Sequence, residues 1–160
     1  MQDKTCCFFG HKSITATEDL IEKLYLEIEH LIVNNGVDTF LFGTKLGFDS
    51  LCLETVTKLK EKHNYIKRIN VRAQYPYIND WYEKSLLKIY DETYYPERIV
   101  GAGRAVYVER NIEMIKRSRY CIIYYDEAKA PQKRKSGTKI ALDYATKYGK
   151  EIILMNASRK

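Results

Sequence analysis

The sequence predicts an α/β domain built on a mostly parallel sheet, and three observations carry that expectation. Six times a short apolar run ends in Gly, Asp or a cluster of small and polar residues just where a helical pattern begins. One of these runs, Tyr120-Cys-Ile-Ile-Tyr-Tyr125, is almost wholly apolar, as a central parallel strand requires. Repeats, linkers and low-complexity stretches are absent, so the alternation reads as one domain over residues 1–160 with right-handed crossovers.

The elements follow in order. Thr5-Cys-Cys-Phe-Phe9 forms the first strand and ends at Gly10-His11-Lys12. Thr17, with Glu18 and Asp19 behind it, caps a helix in which Leu20, Leu24, Ile28 and Leu31 recur at helical spacing to about Asn34. Asn35-Gly36 stops it. The second strand spans about Asp38 to Phe42, and its helix runs from about Phe48 to Lys62 on Leu51, Leu53, Val56 and Leu59. A third strand, Ile66 to Arg72, leads through Ala73-Gln74-Tyr75-Pro76 to a helix of about Asp80 to Ile89 capped by Asn79. Tyr94 to Val100 reads as a weaker strand near a sheet edge because it contains a proline. Gly101-Ala-Gly103 then opens a helix of about Arg104 to Arg117. After the apolar strand that ends at Asp126, a helix of about Thr138 to Tyr148 is closed by Gly149, and Glu151 to Met155 is the last strand.

Composition bounds the function. A chain of 160 residues, 45% hydrophobic and 30% charged, buries a core without metals or disulfides. No run approaches the roughly 18 apolar residues of a membrane span, so no membrane partner is expected. Met1-Gln2-Asp3-Lys4 leads straight into a strand without a small-residue cleavage site, and a cytoplasmic location is expected. Cys6 and Cys7 are adjacent on a strand and point to opposite faces, while Cys52 and Cys121 sit alone in apolar runs. Four reduced core thiols are expected, with no zinc spacing and no cofactor. The net charge of +6 is spread along the chain except for Lys129, Lys133, Arg134, Lys135 and Lys139, a solvated face or an anion-attracting rim.

Candidate site residues fall in strand-to-helix loops, which share the carboxyl edge of a parallel sheet. Gly43-Thr44-Lys45-Leu46-Gly47-Phe48-Asp49 is the sharpest local signal: its glycines open the backbone, and free N–H groups at a helix start favour an anion. A tight turn with Asp49 as helix cap explains the same residues structurally. Ser136-Gly137-Thr138 repeats the logic, against the plain alternative of an N-cap. Gly10, His11 and Lys12 bring an imidazole and a cation to that edge, and Arg72 ends the third strand there. Arg110 or Asn111 points from its helix into the cleft or to solvent. Loop tyrosines Tyr75 and Tyr77 are candidates for stacking on a base. Catalytic sets are thin: Glu54 and Asp126 are weak carboxylate candidates, and no G-x-S-x-G or HExxH occurs.

The motifs then resemble a family. Cys6-Cys-Phe-Phe-Gly-His-Lys12, Gly43-Thr-Lys-Leu-Gly-Phe-Asp49 with Glu54, Tyr107-Val-Glu-Arg-Asn-Ile-Glu-Met114 with Ser118, and Tyr125-Asp126 with Ser136-Gly-Thr138 and Tyr144-Ala145 are similar, in order and spacing, to the motifs of the YpsA-like proteins of the SLOG (SMF/DprA–LOG) superfamily. The resemblance covers essentially the whole chain. It implies a Rossmann-like three-layer α/β/α fold whose glycine turns form a nucleotide-type pocket. Relatives include DprA-type DNA-binding proteins, cytokinin-activating phosphoribohydrolases and sensors of nucleotide signals. This chain departs from the pattern at Thr44 and Ser136, each in place of a glycine, and at Lys12, a cation without the bidentate fork of arginine. Where the phosphoribohydrolases carry their glutamate, it has Ala141.

The expected function is binding of a nucleotide or nucleotide-derived small molecule, such as a cyclic nucleotide or ADP-ribose-type signal, as a sensor or sequestering protein. In that reading Gly43, Thr44, Gly47, Gly137 and Thr138 contact phosphate or ribose. His11, Lys12 and Arg72 supply charge, Asp49 holds the turn or a ribose hydroxyl, and Asn111 orients a polar ligand edge. The alternatives are a nucleotide hydrolase using Glu54 or Asp126, and a single-stranded DNA-binding protein of DprA type. A homodimer or higher homo-oligomer is compatible with the chain.

Overall fold

A computed structural model describes residues 2–43, 46–73, 80–96, 105–126 and 136–155. Its six strands are β1 (Thr5–Gly10), β2 (Thr39–Phe42), β3 (Lys67–Val71), β4 (Glu92–Tyr94), β5 (Tyr120–Tyr124) and β6 (Glu151–Leu154). The helices between them are α1 (Glu18–Asn35), α2 (Phe48–Lys62), α3 (Asp80–Leu87), α4 (Val106–Lys116) and α5 (Gly137–Lys147). Every strand pair is parallel, and the order across the sheet is β4-β3-β2-β1-β5-β6. The chain winds outward from β1 to β4, then returns to the other side of β1 with β5. The strand order therefore reverses between β1 and β5, which opens a crevice above their carboxyl ends.

Alternation along the strands divides the core into two layers. Cys6, Phe8, Phe40, Phe42 and Ile122 face α1 and α2, whose Leu24, Ile28, Val56 and Leu59 are buried against them. Cys7, Leu41, Val71, Cys121 and Ile123 face α4 and α5, where Met114, Ile115, Ala141 and Ala145 are buried. The first layer is dominated by aromatic rings: Phe8 stacks on Phe42 at 5.1 Å and on Phe40 at 6.0 Å between centroids. The sheet is thus covered on both faces, as an all-parallel sheet must be. The adjacent cysteines do point to opposite faces, and all four thiols are free and buried. Burial holds Cys6, Cys7 and Cys52 well above the usual thiol range.

Helix ends follow their local chemistry. The Thr17 hydroxyl accepts the Leu20 N–H at 3.1 Å to start α1, and Gly36 ends it at φ 72°, a conformation that costs glycine nothing. Ser136 caps α5 by accepting the Lys139 N–H at 3.0 Å, so this helix begins at Gly137, one residue before the expected Thr138. At α2 the cap is Gly47, without a side-chain bond, and Asp49 lies inside the first turn; the reading of Asp49 as a cap is corrected. The edge strand also differs from expectation. β4 occupies Glu92–Tyr94 because the Asp91 carboxylate grips the Arg68 backbone N–H at 2.8 Å and sets the register beside β3. It ends before Pro96, which has no N–H for a ladder bond. Asn79, the turn around Gly101 and Gly103, most of the Tyr94–Val100 segment and the basic run before Ser136 lie outside the described residues. No helix among the described residues is long and apolar enough to cross a membrane.

Candidate functional site

The carboxyl ends of β1, β2 and β3, with the starts of α4 and α5, enclose a cleft of about 1140 Å³. It lies beside the reversal between β1 and β5. Ten of the residues expected at the site from sequence border it, contributed by five different segments.

The β1 loop supplies Gly10, His11 and Lys12. A Cβ at Gly10 would overlap the Phe48 side chain, so glycine here lets α2 seat against β1. The carbonyl of His11 accepts the Phe48 N–H at 3.0 Å, and its Nε2 accepts the backbone N–H of Asp126 at 2.8 Å. That second bond spans the strand reversal and ties the β1 loop to the β5 loop. It uses Nε2 as an acceptor, so in this arrangement the ring acts as a clasp between the two loops. The ring packs against Tyr125 and, edge-on, against Tyr124. Lys12 is exposed at the rim.

The β2 loop contributes Gly43 and Asp49. A Cβ on Gly43 would lie 2.8 Å from Cζ of Arg110. Gly47 has φ 56°, and a Cβ there would overlap the carbonyls of His11 and Lys12. At these two glycines the missing side chain makes room for the protein's own Arg110 and β1 loop. Gly47 does not border the cleft, and Thr44 lies outside the described residues. Asp49 is only 7% exposed and borders the cleft from the first turn of α2. Burial, together with the Asp49 charge, pushes the nearby Tyr90 phenol up to about 12.

From β3 and its end come Asn70 and Arg72. The Asn70 amide donates to the Gly43 carbonyl and its oxygen accepts from the Thr93 hydroxyl, both at 3.2 Å. Arg72 is partly buried, and its Nε has no hydrogen-bond partner among the described residues.

Helix α4 turns Tyr107, Arg110, Asn111 and Met114 toward the cleft. Arg110 is 4% exposed. Its Nε donates to Asn111 Oδ1 at 2.8 Å, its Nη1 donates to the Val71 carbonyl at 3.2 Å, and the Tyr107 ring lies 5.7 Å from Cζ. Burial lowers its pKa, with the Asp49 charge acting in the opposite direction. With Oδ1 committed to Arg110, Asn111 has its amide N–H groups to offer elsewhere.

Ser136, Gly137 and Thr138 close the cleft at the start of α5. Among the described residues nothing lies within 4 Å of where a Gly137 Cβ would be, unlike Gly10, Gly43 and Gly47. The N–H groups of Gly137 and Thr138 belong to the first helical turn and have no partner within the helix, so the positive end of α5 is turned toward the cleft that Gly137 and Thr138 border.

The two carboxylates singled out as weak catalytic candidates are elsewhere. Glu54 is exposed on α2, and Asp126 meets His11 outside the residues that border the cleft. Tyr75 and Tyr77 lie outside the described residues; among those described, Phe8, Phe9, Tyr82, Tyr90 and Tyr107 border the cleft beside the His11 ring. Sequence reasoning left out Asn70 and Tyr90. Asn70 carried a signal, a neutral polar residue flanked by Ile69 and Val71 in a strand. Among the described residues no group of three or more His, Cys, Asp or Glu has a geometry for a metal ion.

Comparison with known proteins bears on the whole chain. No curated protein matches it. The family model YpsA, described as the YspA SLOG family, matches residues 4–159. Spanning both layers of the core and every segment that borders the cleft, that match means that the chain belongs to the YpsA-like SLOG family.

Proposed function

We propose that this protein binds a nucleotide or nucleotide-derived small molecule in the cleft at the carboxyl edge of its sheet, and senses or sequesters that molecule without turning it over. The observation that carries the reading is the convergence of the helix start at Gly137 and Thr138 with amide and aromatic side chains on one concave site. In this reading the α5 amides and the Thr138 hydroxyl take a phosphate. Lys12 and Arg72 add positive charge, Tyr107 offers a ring face to a base, and the Asn111 amide meets a polar edge. Family membership supports a nucleotide-related ligand. A volume of about 1140 Å³ suits a small molecule better than a polymer.

Binding without turnover is favoured by where the carboxylates lie: among the described residues the cleft is bordered by Asp49, 7% exposed in the first turn of α2, and not by Glu54 or Asp126. Ala141 stands at the position of the phosphoribohydrolase glutamate, and Glu54 faces solvent from α2. Titration calorimetry with nucleoside monophosphates, diphosphates, ADP-ribose and cyclic nucleotides is expected to give saturable binding of at least one class, with the ligand recovered unchanged. Product beyond one equivalent per chain would overturn the sensing role. A flat response to every compound would overturn the nucleotide reading.

A further inference from the structure

We propose that Arg110 is the anion anchor of the cleft, offering the unused side of its guanidinium to a phosphate, so that the ligand is a phosphorylated nucleotide and not a nucleoside or free base. This rests on the nucleotide reading above and narrows its ligand class.

Arg110 is 4% exposed and borders the cleft from α4. A guanidinium carries five N–H donors in a planar fork. Here Nε–H goes to Asn111 Oδ1 and one Nη1–H to the Val71 carbonyl, which lock the plane from two sides. Nη2 has no hydrogen-bond partner among the described residues, yet it is not sealed away as the Arg72 Nε is. The donors left over therefore meet the cleft. Gly43 is the second sign that the fold is arranged around this group, because any side chain there would press on Cζ at 2.8 Å. Packing alone does not need an arginine: an aliphatic chain of the same length fills the space without the cost of burying a cation. The Asp49 charge offsets part of that cost. A phosphate oxygen bound to Nη2 supplies the rest, and bidentate contact gives the charge-assisted geometry for which arginine is suited. Gly137 and Thr138 border the same cleft with helix-start amides, so a diphosphate has a second set of donors to reach.

The test compares Arg110→Met, Arg110→Lys and wild type by calorimetric titration with the four ribonucleosides, their 5′-diphosphates and pyrophosphate, together with thermal melts of the unliganded proteins. Expected are a wild type that prefers a diphosphate to its nucleoside, and an Arg110→Met protein that folds but melts below wild type, because the Val71 carbonyl loses its donor and the buried Asp49 charge loses the cation beside it. The variant should bind that diphosphate about 10- to 100-fold more weakly, the size expected for losing a charge-assisted contact, and should lose clearly less affinity for the nucleoside. Arg110→Lys keeps the charge but loses the fork, and is expected to lose about ten-fold; if Arg110→Met does not fold, this variant decides. Diphosphate affinity within two-fold of wild type in the folded variants would overturn the anchor and leave the nucleotide cleft standing, as would a wild type that binds nucleoside and diphosphate alike. A wild type that binds none of these compounds would overturn the cleft reading itself.

Discussion

Gly47 and Gly137 look alike in sequence, each a small residue where a strand gives way to a helix, yet the fold uses them oppositely. Gly47 is held at φ 56° with the His11 and Lys12 carbonyls where a Cβ would be. A Cβ on Gly137 would meet nothing within 4 Å among the described residues. A methyl group therefore has opposite consequences at the two positions. Gly47→Ala should lose more than about 2 kcal/mol, since it combines a left-handed backbone with a clash against main-chain atoms. Gly137→Ala should change stability by less than about 1 kcal/mol. Urea unfolding of both variants checks this, and a Gly47→Ala protein as stable as wild type would remove the packing role. That both glycines mark turns was legible in the chain. Which of them faces another loop was not, because the contact joins residues 36 positions apart in two loops whose juxtaposition only the sheet order determines. Arg110 shows the same limit: as a charged residue on a helix it has a solvated face as its default, and nothing local announces burial beside Gly43.

At the scale of elements the helices were the most readable part. Leu20, Leu24, Ile28 and Leu31, all buried on α1, stand at helical spacing in the sequence and need no tertiary knowledge to be found. The edge strand was least readable, since β4 has three residues and owes its position to a long-range clasp. Asp91, just ahead of it, accepts the Arg68 backbone N–H and both Nε and Nη2 of the same residue at 2.8 to 3.1 Å. Burial works to raise the Asp91 pKa, but the Arg68 bonds and the Lys60 charge outweigh it and leave the carboxyl below its usual range. A carboxylate depressed in the folded state contributes stability that is present above the unfolded value, about pH 4, and is lost as the pH falls through the folded value. Asp91→Asn should thus be less stable than wild type at pH 7, and the gap should narrow on acidification toward pH 3. Urea midpoints at the two pH values check it; a gap that stays constant or widens in acid would separate the clasp from its charge.

For the whole molecule, the alternation of apolar runs and helical patterns fixed a parallel α/β sheet, and the motif order pointed to the family that the chain proves to belong to. Strand order was beyond the sequence. The reversal between β1 and β5 is what brings the Gly10–Lys12 loop and the start of α5 to one cleft, and the His11–Asp126 bond closes that junction. Local glycine patterns therefore mark strand ends that border the cleft, but not that Gly10, Gly43 and Gly47 are each held by the protein's own packing. The central claim, a nucleotide-type ligand seated at the start of α5, is tested most directly by mass spectrometry of the small molecules released from natively purified wild type and Gly137→Val. The account predicts a phosphorylated nucleoside-type compound near one equivalent per wild-type chain and its loss from a folded Gly137→Val protein. The same compound at equal occupancy in both proteins would contradict it.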